Sequence, residues 1–273
     1  MNAPAKTGLI HLTPVIASLA VGAVCALLLL AAPLPLYSVT PFQEGVGSIG
    51  NAVYFVILVA IGATLIYILL KRKSRRIITL ITGFALTTAT LMLSIVYLTT
   101  FFYTVNMPYP EVLALALSLF LTTTVVLAIF RSRGKLANLA ILSLGGALGT
   151  FLGNSIPTLS AALILGFLAA YDIFAVYRGP VGKIAKGGLE QLHGLSYSFK
   201  DIQMGLGDLT FYSMLSGHML INFGFAAFAA AVAGILVGCF LSFKMLEKKG
   251  MFPGLPFPVL LGLSAALLTT LLP

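Results

Sequence analysis

Along the whole chain, apolar residues gather into runs of about twenty, separated by short connections rich in Lys, Arg, Gly or Pro. Runs of that length predict membrane-crossing helices, whereas a transmembrane barrel would show alternating segments of about ten residues. Nine such runs centre near residues 10–32, 50–70, 77–102, 111–130, 136–153, 157–177, 203–219, 222–243 and 255–272. The seventh and ninth are short for a full crossing. The reading is an all-α polytopic membrane protein of nine transmembrane helices. It forms one domain over residues 1–273, with helices one to six over about 10–177 and helices seven to nine over about 203–272.

Composition agrees with that pattern. Apolar residues make up 59% and charged residues 8% of the chain, against about 25% charged in soluble domains. The net charge of +9 would suggest a nucleic-acid partner in a soluble protein. Here the positions of the charges explain it without one, and the partner implied is the lipid bilayer. All 16 Lys and Arg residues fall before helix one or in alternate connections: Lys6, the KRKSRR run from Lys71 to Arg76, Arg131 to Lys135, Arg178 to Lys200, and Lys244 to Lys249. The intervening connections contain none. By the positive-inside rule this predicts a cytoplasmic N-terminus and an outside C-terminus. The same parity separates helix seven from helix eight, because merging them would place Lys244, Lys248 and Lys249 on the wrong face.

Two acids interrupt the apolar pattern: Asp172 in ALILGFLAAYDIFAVY and Asp208 in IQMGLGDLTFYSML. A charged carboxylate at hydrocarbon depth costs ~3 kcal/mol or more, so an acid there points to function. Neither segment holds a Lys or Arg to neutralise it. Asp172 lies six residues before Arg178 and Asp208 eight after Lys200, which predicts roughly 9 and 12 Å along two antiparallel helices, in the same leaflet. Two facing carboxyls at that depth do not both ionise cheaply and would share one proton. Such a pair suits acid–base hydrolysis, one acid activating water while its partner polarises a carbonyl.

Two further stretches fit this chemistry. In Gly205-Leu206-Gly207-Asp208, Gly205 is predicted to share a helical face with the acid and to admit a close backbone, while Gly207 weakens the helix beside it. In Pro253-Gly254-Leu255-Pro256, followed by Pro258, three prolines in six residues prevent regular helix at the start of helix nine. Irregular backbone at that depth needs cover from protein or a water-filled cavity. Gly145, Gly149 and Gly153 in helix five form a small-residue stripe for close helix packing, with a homo-oligomer left open. Ser155 and Pro157 read as the cap and first-turn proline of helix six, and Pro14 as a start or kink in helix one.

Tyr171-Asp172, Gly205-Leu206-Gly207-Asp208 and Pro253-Gly254-Leu255-Pro256 resemble the YD, GxGD and PALP motifs of the presenilin and signal peptide peptidase family of intramembrane aspartyl proteases. Their order and helix numbers match over the nine-helix chain. The resemblance implies that Asp172 and Asp208 are the catalytic pair, that the proline motif shapes the site, and that the substrate is the membrane helix of another protein. Tyr171 would contact substrate or the pair, or simply pack. Glycine replaces the family's alanine at position 254, a small-for-small change that adds flexibility. The orientation resembles presenilin, and the compact chain looks like a microbial cell-membrane homologue able to act without partner subunits. The Gly- and Lys-rich segment from Arg178 to Lys200 is expected to stay mobile until substrate arrives.

Other chemistries fit less well. His11, His193 and His218 lie apart and no HExxH string is present, so neither a metal nor a cofactor is predicted. Ser216 and His218 are too close along one helix for a serine dyad. A proton-coupled transporter or channel using the same acids as a relay is the competing class. Transporters commonly carry broken helices in corresponding halves, whereas every unusual feature here falls in the last 102 residues.

Overall fold

In lipid every main-chain group must be satisfied within the protein, which leaves an apolar chain little choice but helices packed on helices. The computed structural model describes residues 8–31, 38–72, 74–131, 134–179, 196–199 and 202–271. A 3-10 turn, Leu9–Leu12, leads into α1 (Thr13–Ala31), so Pro14 starts this helix. Then come α2 (Gly47–Lys71), α3 (Arg75–Thr104), α4 (Pro110–Arg131), α5 (Lys135–Ser155) and α6 (Thr158–Tyr177). The strands β1 (Ser196–Phe199) and β2 (Ile202–Gly205) precede α7 (Leu206–Lys249) and α8 (Pro256–Leu271). Among the described residues seven helices are long and apolar enough to cross a bilayer, and α8 is shorter. Lys6, Lys73, Arg133, Lys183, Lys186, His193 and Lys200, with most of the 178–200 connection, lie outside the described residues.

The 44 residues of α7 are not one rod. Drawn straight they would run about 66 Å, twice a hydrocarbon core, and would hold Leu215 and Ile235 about 30 Å apart. Both side chains instead lie against Gly262 of α8. Gly224 takes φ 83° and ψ −174°, a conformation open to glycine and costly for other residues. The chain turns back there, giving a first arm over 206–223 and a return arm over 225–249. The charge parity had required a break near residues 220–221, and Gly224 supplies it.

The first arm is the centre of the bundle. Its residues from Tyr212 to Leu220 are all buried, enclosed by α1, α5 and α8. Glycine makes this close packing possible. A Cβ at Gly146 would sit 2.5 Å from the Ser18 carbonyl of α1, and one at Gly153 would sit 2.6 Å from the Met214 carbonyl of the first arm. One at Gly149 would overlap the Thr210 carbonyl and lie 2.7 Å from the Ser213 Cβ. The stripe therefore serves internal packing. Replacing Gly149 with valine is expected to cost about 3 kcal/mol or more of stability through overpacking against main chain. Gly166→Ala, where nothing lies within 4 Å of the added Cβ inside α6, should hold or slightly raise the unfolding temperature. Thermal unfolding of the purified variants in detergent checks both.

One end of the bundle is tied by polar contacts. Asn51 of α2 donates to the Ser160 hydroxyl of α6 at 3.0 Å and accepts from the Phe42 amide at 2.9 Å. Ser160 in turn donates to Ser48 at 3.0 Å. Beyond this anchor of Ser48, Asn51 and Ala52, α2 buries no further residue. The cap of α6 differs from expectation. Ser155 ends α5, and the Glu44 carboxylate accepts the Leu159 amide at 2.8 Å in the first turn of α6. A distant acid thus satisfies an orphan helix donor that a local serine was expected to satisfy.

Candidate active site

Asp172 lies near the end of α6, five residues before the helix ends at Tyr177, as its offset from Arg178 implied. Asp208 is placed differently from expectation. Residues 202–205 pair antiparallel with β1 in a short hairpin, Ser196 opposite Gly205 and Phe199 opposite Ile202, so the chain here is not uniformly helical. Helix begins only at Leu206, and Asp208 stands third in the first turn of α7. Gly205 is extended, φ −72° and ψ 145°, and occupies the cap position. It therefore does not share a helical face with Asp208. Its main-chain amide instead lies near the Asp208 carboxylate. The eight-residue offset from Lys200 is thus no helical distance, because the strand rises about 3.3 Å per residue.

The other residues of this stretch divide by environment. Leu206 is buried and packs towards Gly145 of α5. Gly207 is exposed, with only the Phe211 ring nearby. The glycine therefore leaves an open face beside the acid, and the leucine fixes the turn that carries it. Tyr171 is half-buried and tilts against Phe174 with ring centroids 6.4 Å apart. Its contact is packing within α6.

What joins the two acids is the proline segment. α6 touches the first arm of α7 only sparsely, and the residues leading into α8 fill the gap. Pro256 takes the first helical position of α8, where a missing amide costs nothing. Pro253, Gly254 and Leu255 before it are non-helical. The Leu255 amide donates to Asp172 Oδ2 at 3.0 Å, and the Gly254 amide lies near the same carboxylate. From the other side, the point where a Cβ of Gly254 would stand is 2.9 Å from Asp208 Oδ2 and 3.1 Å from Oδ1. The glycine thus sits between the acids, the peptide after it bonded to Asp172 and the space of its missing Cβ adjoining the Asp208 carboxyl. Its carbonyl accepts from the buried Tyr212 hydroxyl at 2.8 Å. Among the described residues no cation pairs with either aspartate, and no group of three metal-ligating side chains occurs.

Comparison with known proteins bears on the family and the fold. A family model described as signal-peptide peptidase, presenilin aspartyl protease, matches residues 16–191. The chain belongs to that family. It is an intramembrane aspartyl protease and a multi-pass integral membrane protein. The matched region contains Asp172 but stops short of Asp208 and the proline segment, which the fold comparison reaches. Two solved structures of a presenilin family intramembrane aspartate protease, in C222 and P2 crystals, share the fold. The first superposes with a TM-score of 0.69 at 19% identity, covering 96% of this chain and 98% of that one. The second gives 0.65 at 20% identity, covering 94% and 95%. No curated protein sequence matches this chain.

Two residues escaped the sequence reading, one beside the acids and one at the far end of α6. Tyr212 stands four residues after Asp208, a spacing that puts both on one helical face, and that was its available signal. Glu44 had none, since its partner is 115 residues away.

Proposed function

We propose that Asp172 and Asp208 are the catalytic pair of this protease, and that it hydrolyses peptide bonds within the transmembrane helices of other proteins. The observation that carries the assignment is the position of Gly254, whose peptide link to Leu255 serves Asp172 while the place of its missing Cβ adjoins the Asp208 carboxyl. In the proposed cycle the pair holds one proton. The ionised acid takes a proton from water, the water oxygen bonds to the scissile carbonyl carbon, and the protonated acid donates to the carbonyl oxygen. On collapse of the tetrahedral diol the first acid gives its proton to the leaving nitrogen, the second takes one from a diol hydroxyl as the carbonyl re-forms, and the C–N bond breaks, leaving one proton on the pair. The Leu255 amide orients Asp172, and the exposed Gly207 leaves room for an extended substrate.

The single domain is read as nine crossings, α7 contributing two on either side of Gly224, with a cytoplasmic N-terminus from the distribution of Lys and Arg. Asp172, Asp208 and the proline segment then lie near the cytoplasmic face.

The test uses the purified chain in lipid vesicles with a single-pass helix as substrate. Cleavage inside the apolar span is expected, with a bell-shaped pH dependence whose two apparent pKa values belong to the pair. A flat profile between acid and neutral pH would count against the shared-proton mechanism. Proton uptake without any cleavage would favour the relay reading instead.

A further inference from the structure

Tyr212 is 2% exposed and lies one helical turn beyond Asp208 on the same arm. Its hydroxyl donates to the Gly254 carbonyl at 2.8 Å. That carbonyl and the Leu255 amide are the two ends of one peptide group, and the amide donates to Asp172 Oδ2 at 3.0 Å. A peptide group is planar, and this one is trans. Holding its oxygen therefore aims its N–H, and aiming the N–H locates the carboxylate that accepts it. Asp208, Tyr212, this peptide and Asp172 form one connected path between the acids.

The flanking residues explain why such a hold is needed. Pro253 has a fixed φ, and Leu255 is restricted by the proline that follows it. Gly254 between them has no Cβ and is free to turn, so the peptide after it is the least constrained in the segment. The family's alanine, named by the motif resemblance, would restrict that rotation from within. In this chain the restraint comes from outside, through the tyrosine hydroxyl.

We propose that Tyr212 is a positioning residue for the proteolytic reaction, its hydroxyl fixing the Gly254–Leu255 peptide plane and thereby holding Asp172 in register with Asp208. The proposal rests on the proteolytic reading above. It concerns kcat rather than substrate binding, because no substrate group is required to touch the hydroxyl.

The experiment compares the full-length wild type, Tyr212→Phe and Ser213→Ala in vesicles with a single-pass helix substrate. Ser213 is buried on the same arm and faces Ser18 of α1 at 3.4 Å, so its variant loosens the arm without touching the peptide. Tyr212→Phe is expected to lower kcat about tenfold to thirtyfold with KM within about twofold, as a misplaced reacting group does. Binding of a hydroxyl-bearing peptide isostere of the tetrahedral species should weaken by the same factor. Ser213→Ala should keep its kcat, and thermal unfolding should show both variants folded. Unchanged kcat in Tyr212→Phe overturns the proposal. So does an equal fall in both variants, which would assign the effect to a loosened arm. A wild type that cleaves nothing sinks the proteolytic reading, and this one with it.

Discussion

Asparagine at either position 172 or position 208 is expected to abolish cleavage, by about a thousandfold or more, while the protein remains folded. Asparagine keeps the shape of the side chain and one acceptor oxygen, so the Leu255 amide still has a partner at position 172. What it removes is the ability to take or give a proton, and general acid–base steps of this kind contribute about 10² to 10⁴ each. Both acids are needed in one event, so the double variant should be little worse than either single one. Stability should not suffer. No cation offsets either carboxylate among the described residues, and a neutral amide avoids the cost of an unpaired acid at that depth. Activity of purified variants against a single-pass helix, alongside thermal unfolding, checks this. One variant retaining more than a tenth of wild-type activity would remove that acid from the reaction.

The helical part of the fold was legible because apolar runs and basic connections are local signals set by the membrane itself. A break in α7 was expected from Lys244, Lys248 and Lys249, whose charges by the positive-inside rule predict two helices rather than one before them, and the kink lies at Gly224. The hairpin before Asp208 was not. Ile202, Gln203 and Met204 extend an apolar run, and a short run of this kind fits a strand or a buried helix equally well. Pairing with residues 196–199 decides it, and pairing is a tertiary fact. The same limit applies to the site. The two acids announce themselves as charges without local partners, whereas the role of Gly254 is visible only once three segments meet. Reading its glycine as added flexibility captured half of the matter: the missing Cβ also vacates the place that the Asp208 carboxyl adjoins.

That vacancy leads to the second large effect. Gly254→Val is expected to lower kcat by about a hundredfold or more, whereas Gly254→Ala stays within about threefold of wild type. A Cβ here meets three atoms of the Asp208 carboxyl at 2.9 to 3.1 Å. Those atoms end a side chain with rotatable bonds, so one methyl group displaces them by a few tenths of an ångström, and the resemblance implies that alanine is acceptable at this position. Valine adds two methyl groups on a stiff, branched carbon, which the carboxyl cannot avoid by a small rotation. Displacement of a reacting group by about 1 Å is enough for a hundredfold loss. The pair of substitutions also separates causes. Both restrict the unfolded chain by reducing glycine's freedom, and neither must adopt a positive φ, because position 254 is not among the positive-φ glycines. A loss arising from backbone stiffening would therefore appear in both variants, whereas crowding of Asp208 appears chiefly in valine. Steady-state cleavage kinetics distinguish them, and a valine variant with wild-type kcat would show that Asp208 does its work away from the proline segment.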